Sequence, residues 1–229
     1  RRGNLPILAG GTGLYIKAVL DEFLFPDEGA DYELRRRLEA EAREKGPLTL
    51  HRRLAEIDPE SAARLHPNDV RRVVRALEVY HTTGRPLSEH LKSARASEPA
   101  YEVAMFGLTR PREILYRRIN ERVDAQIEQG LVEEVKRLAE RYGELPVAKQ
   151  ALGCKEILAH LRGELTLEQA VERIKRDTRR FAKRQYTWFR REPRIRWIDL
   201  EEAGSTTAAA RLIEEEIKGS LGWGVESPR

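Results

Sequence analysis

The sequence contains a single cysteine, Cys154, among its 229 residues. One thiol excludes an intrachain disulfide and a cysteine-based zinc site, so the fold must be held together by its core. Methionine occurs once and asparagine only at positions 4, 68 and 120, a usage that, with abundant Glu and Arg, leans towards a heat-adapted source. Long hydrophobic runs are also lacking. The longest stretch without a charged residue, Gly3 to Ile16, is too short and too glycine-rich to cross a bilayer. No cationic leader precedes an apolar segment with a cleavage site, so the expectation is a cytoplasmic protein with no membrane partner.

What is present is charge. Charged residues make up 35% of the chain and apolar residues 40%, enough for a proper core in one large domain or one domain with a small insertion. The net charge is only +4, but from Lys175 to Arg196 ten Lys or Arg face two acids, a local +8 that leaves the remainder at −4. Positive charge concentrated on one segment points to a polyanionic partner.

The chain reads as helix-rich α/β. Leu5 to Ala9 is a short apolar run followed by Gly10-Gly11-Thr12-Gly13 and a helix from about Leu14, an order typical of parallel-sheet proteins. From Asp31 to about Ala63 the pattern is helical and charged, broken at "EKGPLTL", with "DPESA" capping the next turn. "NDVRRVVRALEVY" is a helix with Asn68 or Asp69 as its N-cap and a stop near Gly84. "YEVAMFGLT" and "RIRWIDL" are the strand candidates. Pro111 opens a long helix to about Gly130, a second piece runs to Tyr142, and another long helix runs from about Leu167 to Arg191. Helices far outnumber strands, so the sheet is small or incomplete.

At 100° per residue, Ile174, Thr178, Phe181, Gln185 and Trp188 fall within about 40° of one direction, the expected core face. Arg176, Arg180, Lys183, Arg184, Thr187 and Arg191 lie nearly opposite. A solvated face normally mixes signs; this one is almost free of acids and suits phosphate. Arg71, Arg72 and Arg75 form a second basic group, which alone reads as an ordinary amphipathic helix and with the first suggests a groove for a nucleic-acid backbone. The glycine turn matches neither the Walker loop nor the dinucleotide fingerprint. It is either a tight strand-to-helix turn or a place where a ligand meets bare backbone.

Five blocks, "LAGGTGLYIKAVL", "HPNDVRRVVRALEVY", "GLTRPREILYRRINERVDAQIEQGLVEEV", "QALGCKEIL" with "GELTLEQAVE", and "TRRFAKRQYTWFRR", occur in the order found in the tRNA dimethylallyltransferases, or tRNA isopentenyltransferases, and the chain resembles that family over nearly its whole length. The resemblance implies transfer of a dimethylallyl group from dimethylallyl diphosphate to the exocyclic amine of the adenine 3′ of the anticodon, flipped out of its stack. It implies a P-loop nucleotide-kinase-like core with an inserted helical domain, divided as residues 1–30 (core strand, turn and helix), 31–66 (insertion gripping the anticodon stem) and 67–218 (core with basic helices); the glycine, serine and proline of residues 219–229 make that stretch an expected frayed tail.

By position, Thr12 resembles the residue that contacts the target nucleotide, the flipped base and the diphosphate meeting beside the bare turn, and Arg122 is the candidate for neutralising the diphosphate. The tRNA contacts implied are Arg35; Arg71, Arg72, Val73, Val74 and Arg75; Gln150, Ala151, Leu152, Gly153, Cys154 and Lys155; and Lys183, Arg184, Gln185, Tyr186, Thr187, Trp188, Phe189 and Arg190. Cys154 stands where the family often has an aromatic residue and Gln126 where it often has methionine. The family's phosphate loop, its general base and the ligands of its Mg²⁺ are expected in a segment preceding Arg1, and the protein is expected to be a monomer. The rival readings are a non-catalytic RNA-binding module and a nucleotide-kinase-like phosphotransferase.

Overall fold

The computed structural model describes residues 4–21, 30–96, 101–143 and 151–220. In chain order the elements are α1 (Gly13–Leu20), α2 (Tyr32–Lys45), α3 (Pro47–Ile57), α4 (Pro59–Arg64), α5 (Val70–Thr83), α6 (Leu87–Ala96), β1 (Met105–Thr109), α7 (Arg112–Glu128), α8 (Leu131–Tyr142), α9 (Cys154–Leu161), α10 (Leu167–Phe189), β2 (Ile195–Asp199) and α11 (Thr206–Ser220). The molecule is thus helix-rich α/β, and it separates into two compact units, one of residues 1–10 and 14–102, the other of residues 11–13 and 103–229.

The first unit is helical. Leu34, Leu38 and Ala42 recur every four residues on α2 and are buried with Leu50 and Leu54 of α3 and Val73, Val74, Ala76 and Leu77 of α5. Each leucine taken from water contributes roughly 1.5–3 kcal/mol, so this core is the main source of the unit's stability. Asp58 ends α3 and caps two further helices: one carboxylate oxygen accepts the Ser61 N–H at 2.9 Å and the other the Ser88 N–H at 2.9 Å. Burial alone would push this carboxyl up, but the bonds from Ser88 and Ser61 outweigh it and hold it below its ordinary value. Asp69 takes the N-cap position of α5 as the sequence suggests, though its side chain turns to Arg72 at 3.3 Å instead of bonding the helix amides. Gly84 stops the helix in the left-handed region at φ 69°.

The apolar run at Leu5 to Ala9 is not a strand: Ile7 is 85% exposed, and the sheet formed by the described residues consists of β1 and β2 alone. A strand needs a neighbour to bond its backbone, and this run pairs with none among the described residues.

In the second unit β1 and β2 pair in parallel, with Met105 opposite Ile195, Gly107 opposite Trp197 and Thr109 opposite Asp199. Glycine is favoured at position 107, because a Cβ there would stand 2.7 Å from the edge of the Trp197 ring and force a neighbour to move. A small core of Val123, Val135, Ile157, Ala170 and Ile174 joins α7, α8, α9 and α10. Gly219 and Ser220, expected in a frayed tail, are the last residues of α11; residues 221–229 lie outside the described residues.

Candidate nucleic-acid interface

The second unit is organised by α10. Thr166 and Gln169 form a reciprocal capping box, the Gln169 N–H reaching Thr166 Oγ1 at 3.2 Å and the Thr166 N–H reaching Gln169 Oε1 at 3.0 Å. Its first turns are anchored to α7 by Ala170 and Ile174, by the Lys175–Asp124 ion pair at 2.6 Å and by Arg179 donating to Asn120 at 2.6 Å. The basic stripe is neutralised here. Asp177 gathers Arg176 (2.9 Å), Arg180 (3.4 Å) and Lys155 (3.7 Å), and the Arg176 hydrogen bond, followed by the charges around it, holds the Asp177 carboxyl below its ordinary value.

The far half of α10 is different. Lys183, Arg184, Arg190 and Arg191 have no acidic partner among the described residues. Arg184 lies 5.6 Å over the Phe181 ring and Arg190 5.6 Å over the Tyr186 ring. Tyr186 in turn stacks on Trp197 (5.9 Å, 19°), and its hydroxyl is 2.7 Å from that of Thr109, so it fastens the helix to the sheet. Thr187 is exposed and its hydroxyl donates to the Lys183 carbonyl at 3.0 Å, while Phe189 is half-buried. The expected core face is corrected here: Phe181 is 38% exposed and Trp188 45%. The side chains tying α10 to α7 and α9 end near Arg179, and beyond that point the helix meets the glycine turn and the sheet.

The turn explains itself through this helix. Gln185 Nε2 donates to the Gly11 carbonyl at 2.9 Å. A methyl group on Gly11 would run into the Gln185 amide, and one on Gly13 into the Trp188 indole; Gly10 faces open space. Two of the three glycines are therefore bare because α10 packs on them. Thr12 stands between them, exposed, its hydroxyl without a hydrogen bond among the described residues. The structure thus sets the Thr12 turn against Gln185 and Trp188, on the helix that carries the cations unpaired among the described residues. Arg122 is exposed on α7 and likewise lacks an acidic partner among the described residues.

At the start of α9, Gly153 is buried at φ 92° and its N–H donates to Glu156 Oε2 at 3.0 Å. Glu156 Oε1 has no hydrogen-bond partner among the described residues and is faced by Lys155 Nζ at 3.3 Å. Burial, then Glu134 and Glu156, push the Cys154 thiol up, so it stays protonated at neutral pH. Ala151 and Leu152 are half-buried; Gln150 lies outside the described residues.

In the first unit Arg35 and Arg75 meet on one buried acid, Glu78. Arg35 Nε is 2.9 Å from Oε1 and Arg75 Nη1 2.7 Å from Oε2, while Oε1 also accepts the Asp31 N–H at 2.9 Å. Burial would raise the Glu78 carboxyl, but the Arg75 and Arg35 hydrogen bonds and charges outweigh it and hold it below its ordinary value. Arg71 and Arg72 are exposed. Val73 and Val74 depart from the expected tRNA-contacting run: both are in the core, 0% and 2% exposed, because they fall on the apolar side of α5. Sequence reasoning passed over Glu78, although an acid three residues after Arg75 on the apolar stripe of "RVVRALEVY" is a visible signal of a buried ion pair. It also passed over Trp197 and Gly107, whose fit depends on strand register.

A family model described as IPP transferase matches residues 1–192. The tRNA dimethylallyltransferase of Desulforamulus reducens is 50% identical over 220 residues, 96% of this chain and 78% of the relative. That of Symbiobacterium thermophilum is 54% identical over 219 residues, 94% of this chain and 68% of the relative. Among solved structures, the full-length tRNA isopentenylpyrophosphate transferase of Bacillus halodurans is 41% identical with a TM-score of 0.60, covering 96% of this chain and 67% of that one. A eukaryotic dimethylallyltransferase acting on tRNA is 29% identical with a TM-score of 0.77, covering all of this chain and 60% of that one. Five ordered sequence blocks, a helix-rich α/β fold with a small parallel sheet and relatives at about half identity agree: this chain belongs to the IPP transferase family.

Proposed function

We propose that this protein transfers the dimethylallyl group of dimethylallyl diphosphate to the exocyclic amine of the adenine 3′ of the anticodon in tRNA. The observation that carries the reading is the far half of α10, where Gln185 and Trp188 hold the Thr12 turn beside four cations unpaired among the described residues. Lys183, Arg184, Arg190 and Arg191 bind RNA phosphates, and Thr12 offers its free hydroxyl to the flipped adenosine. The amine nitrogen attacks the allylic carbon as its bond to the diphosphate oxygen breaks, and Arg122 helps to neutralise the departing charge.

The amine must lose a proton as the bond forms, which needs a carboxylate base. In this reading that base, the phosphate loop of a nucleotide-kinase-like core and the ligands of Mg²⁺ come from outside these 229 residues. Among the described residues no group of three His, Cys, Asp or Glu side chains could hold a metal ion. Residues 31–66 act as the helical insertion on the anticodon stem. No helix among the described residues is long and apolar enough to cross a membrane; in this reading the protein is a monomeric enzyme of the cytoplasm.

The test is transfer of radiolabelled dimethylallyl groups by the full-length protein to an unmodified tRNA with an adenine-rich anticodon loop. Label is expected in the tRNA, falling about tenfold in Thr12→Ala for one lost hydrogen bond. The 229 residues alone are expected to bind tRNA without turnover. Salt-sensitive binding with no label from the full-length protein would favour the non-catalytic RNA-binding module.

A further inference from the structure

We propose that Glu78 is a positioning residue for RNA: its buried carboxylate fixes Arg35 and Arg75 side by side so that together they seat a phosphate of the tRNA backbone. The inference rests on the reading that these two arginines meet tRNA, and assigns a role to an acid that makes no contact with RNA itself.

Glu78 is 0% exposed on α5, between Leu77 and Val79. An ionised carboxylate in such a place requires a charged partner. One arginine would neutralise it; here there are two, and the group as a whole keeps a positive charge. Arginine offers five N–H donors in a rigid fork. Arg35 spends its Nε–H and Arg75 one Nη1–H on Glu78, and neither has another acceptor among the described residues. The Arg35 and Arg75 side chains are 32% and 39% exposed, so the unspent donors open to solvent. Held at Nε, Arg35 keeps its Nη1/Nη2 edge free, an edge that takes two oxygens of a phosphate. The Tyr32 ring, its centroid 5.6 Å from Arg35 Cζ, adds a cation–π contact. Arg71, one turn before Arg75 and exposed, adds a further cation on the same helix face. A carboxylate serving only to dock α2 on α5 would be satisfied by one arginine, whereas here it holds two partly exposed arginines with donors to spare.

The experiment measures affinity of the full-length protein for an unmodified tRNA as a function of salt, with thermal unfolding of each variant alongside. Arg35→Gln with Arg75→Gln is expected to weaken binding and to lower the slope of log affinity against log salt by about 1.5, two contacts at 0.7–0.9 each. Glu78→Gln is expected to weaken binding about tenfold in the native background and to add nothing in the double-arginine background. Equal losses in both backgrounds, or none in the native one, would overturn the positioning role. An unchanged affinity and slope in the double-arginine variant is a separate result: it would remove the tRNA contact on which the role depends. Should Glu78→Gln not fold, Arg35→Lys decides the matter, since lysine keeps the charge but not the fork. A loss of about fivefold with an unchanged melting temperature supports the proposal, and native affinity overturns it.

Discussion

In residues 14–102 Arg35 and Arg75 stand on a buried acid, whereas at the end of α10 two of the four cations, Arg184 and Arg190, stand on aromatic rings, and none of the four has an acid beside it among the described residues. Arg35 and Arg75 share Glu78; Arg184 and Arg190 lie over Phe181 and Tyr186. An acid fixes the direction of a guanidinium and cancels part of its charge. A ring attracts the guanidinium without cancelling its charge. The first arrangement suits a contact whose position matters, the second a field that draws a polyanion in and weakens with salt.

The largest test of this comparison removes packing. Leu77→Ala, next to Glu78 and fully buried, is expected to cost about 2–5 kcal/mol, whereas Phe181→Ala, beneath Arg184 and partly exposed, costs under about 1 kcal/mol; chemical denaturation measures both. Next comes Gly13→Ala, whose new methyl group meets the Trp188 indole. About 1–3 kcal/mol is expected from overpacking, and Trp188→Ala in the same chain should recover part of it.

A smaller effect separates paired from unpaired cations within α10. Lys183→Ala with Arg184→Ala is expected to lower the salt slope of tRNA binding by about 1.5. Arg176→Ala with Arg180→Ala lowers it by less, because Asp177 already neutralises that pair; equal slopes would remove the distinction.

The smallest effect is on pH. A carboxyl held lower in the folded chain contributes stability that is complete above its unfolded value and is lost as pH falls through the folded one. Stability from Glu78 should therefore be constant from neutrality down to its ordinary 4.5 and decline below it. Urea midpoints against pH should show that decline shrink in Glu78→Gln.

Much of this was legible along the chain. The breaks at Gly46 and Asp58, the stop at Gly84 and the start of α10 at Leu167, capped by Thr166, are written in residues whose backbone or side chain decides the local conformation without help. The two strands were also readable as runs of their own. The reading of Leu5 to Ala9 as a strand went astray because a strand is decided by what lies beside it. The helical wheel of α10 put Phe181 and Trp188 inside for the same reason, since periodicity names a face but not what covers it.

The sequence by itself determined helix spacing, capping and the concentration of positive charge near the C-terminal end of the described core, because each depends on neighbours within a few positions or on simple sums. Only the tertiary structure decided which distant cations join these acids. Lys155 reaches Asp177 from α9 and Arg35 reaches Glu78 across 43 positions of sequence, whereas Lys183, Arg184, Arg190 and Arg191 meet no acid among the described residues. It also decided why the turn is bare: Gln185 and Trp188 come from 174 residues beyond the turn's own Gly11 and onward, a distance no local pattern spans.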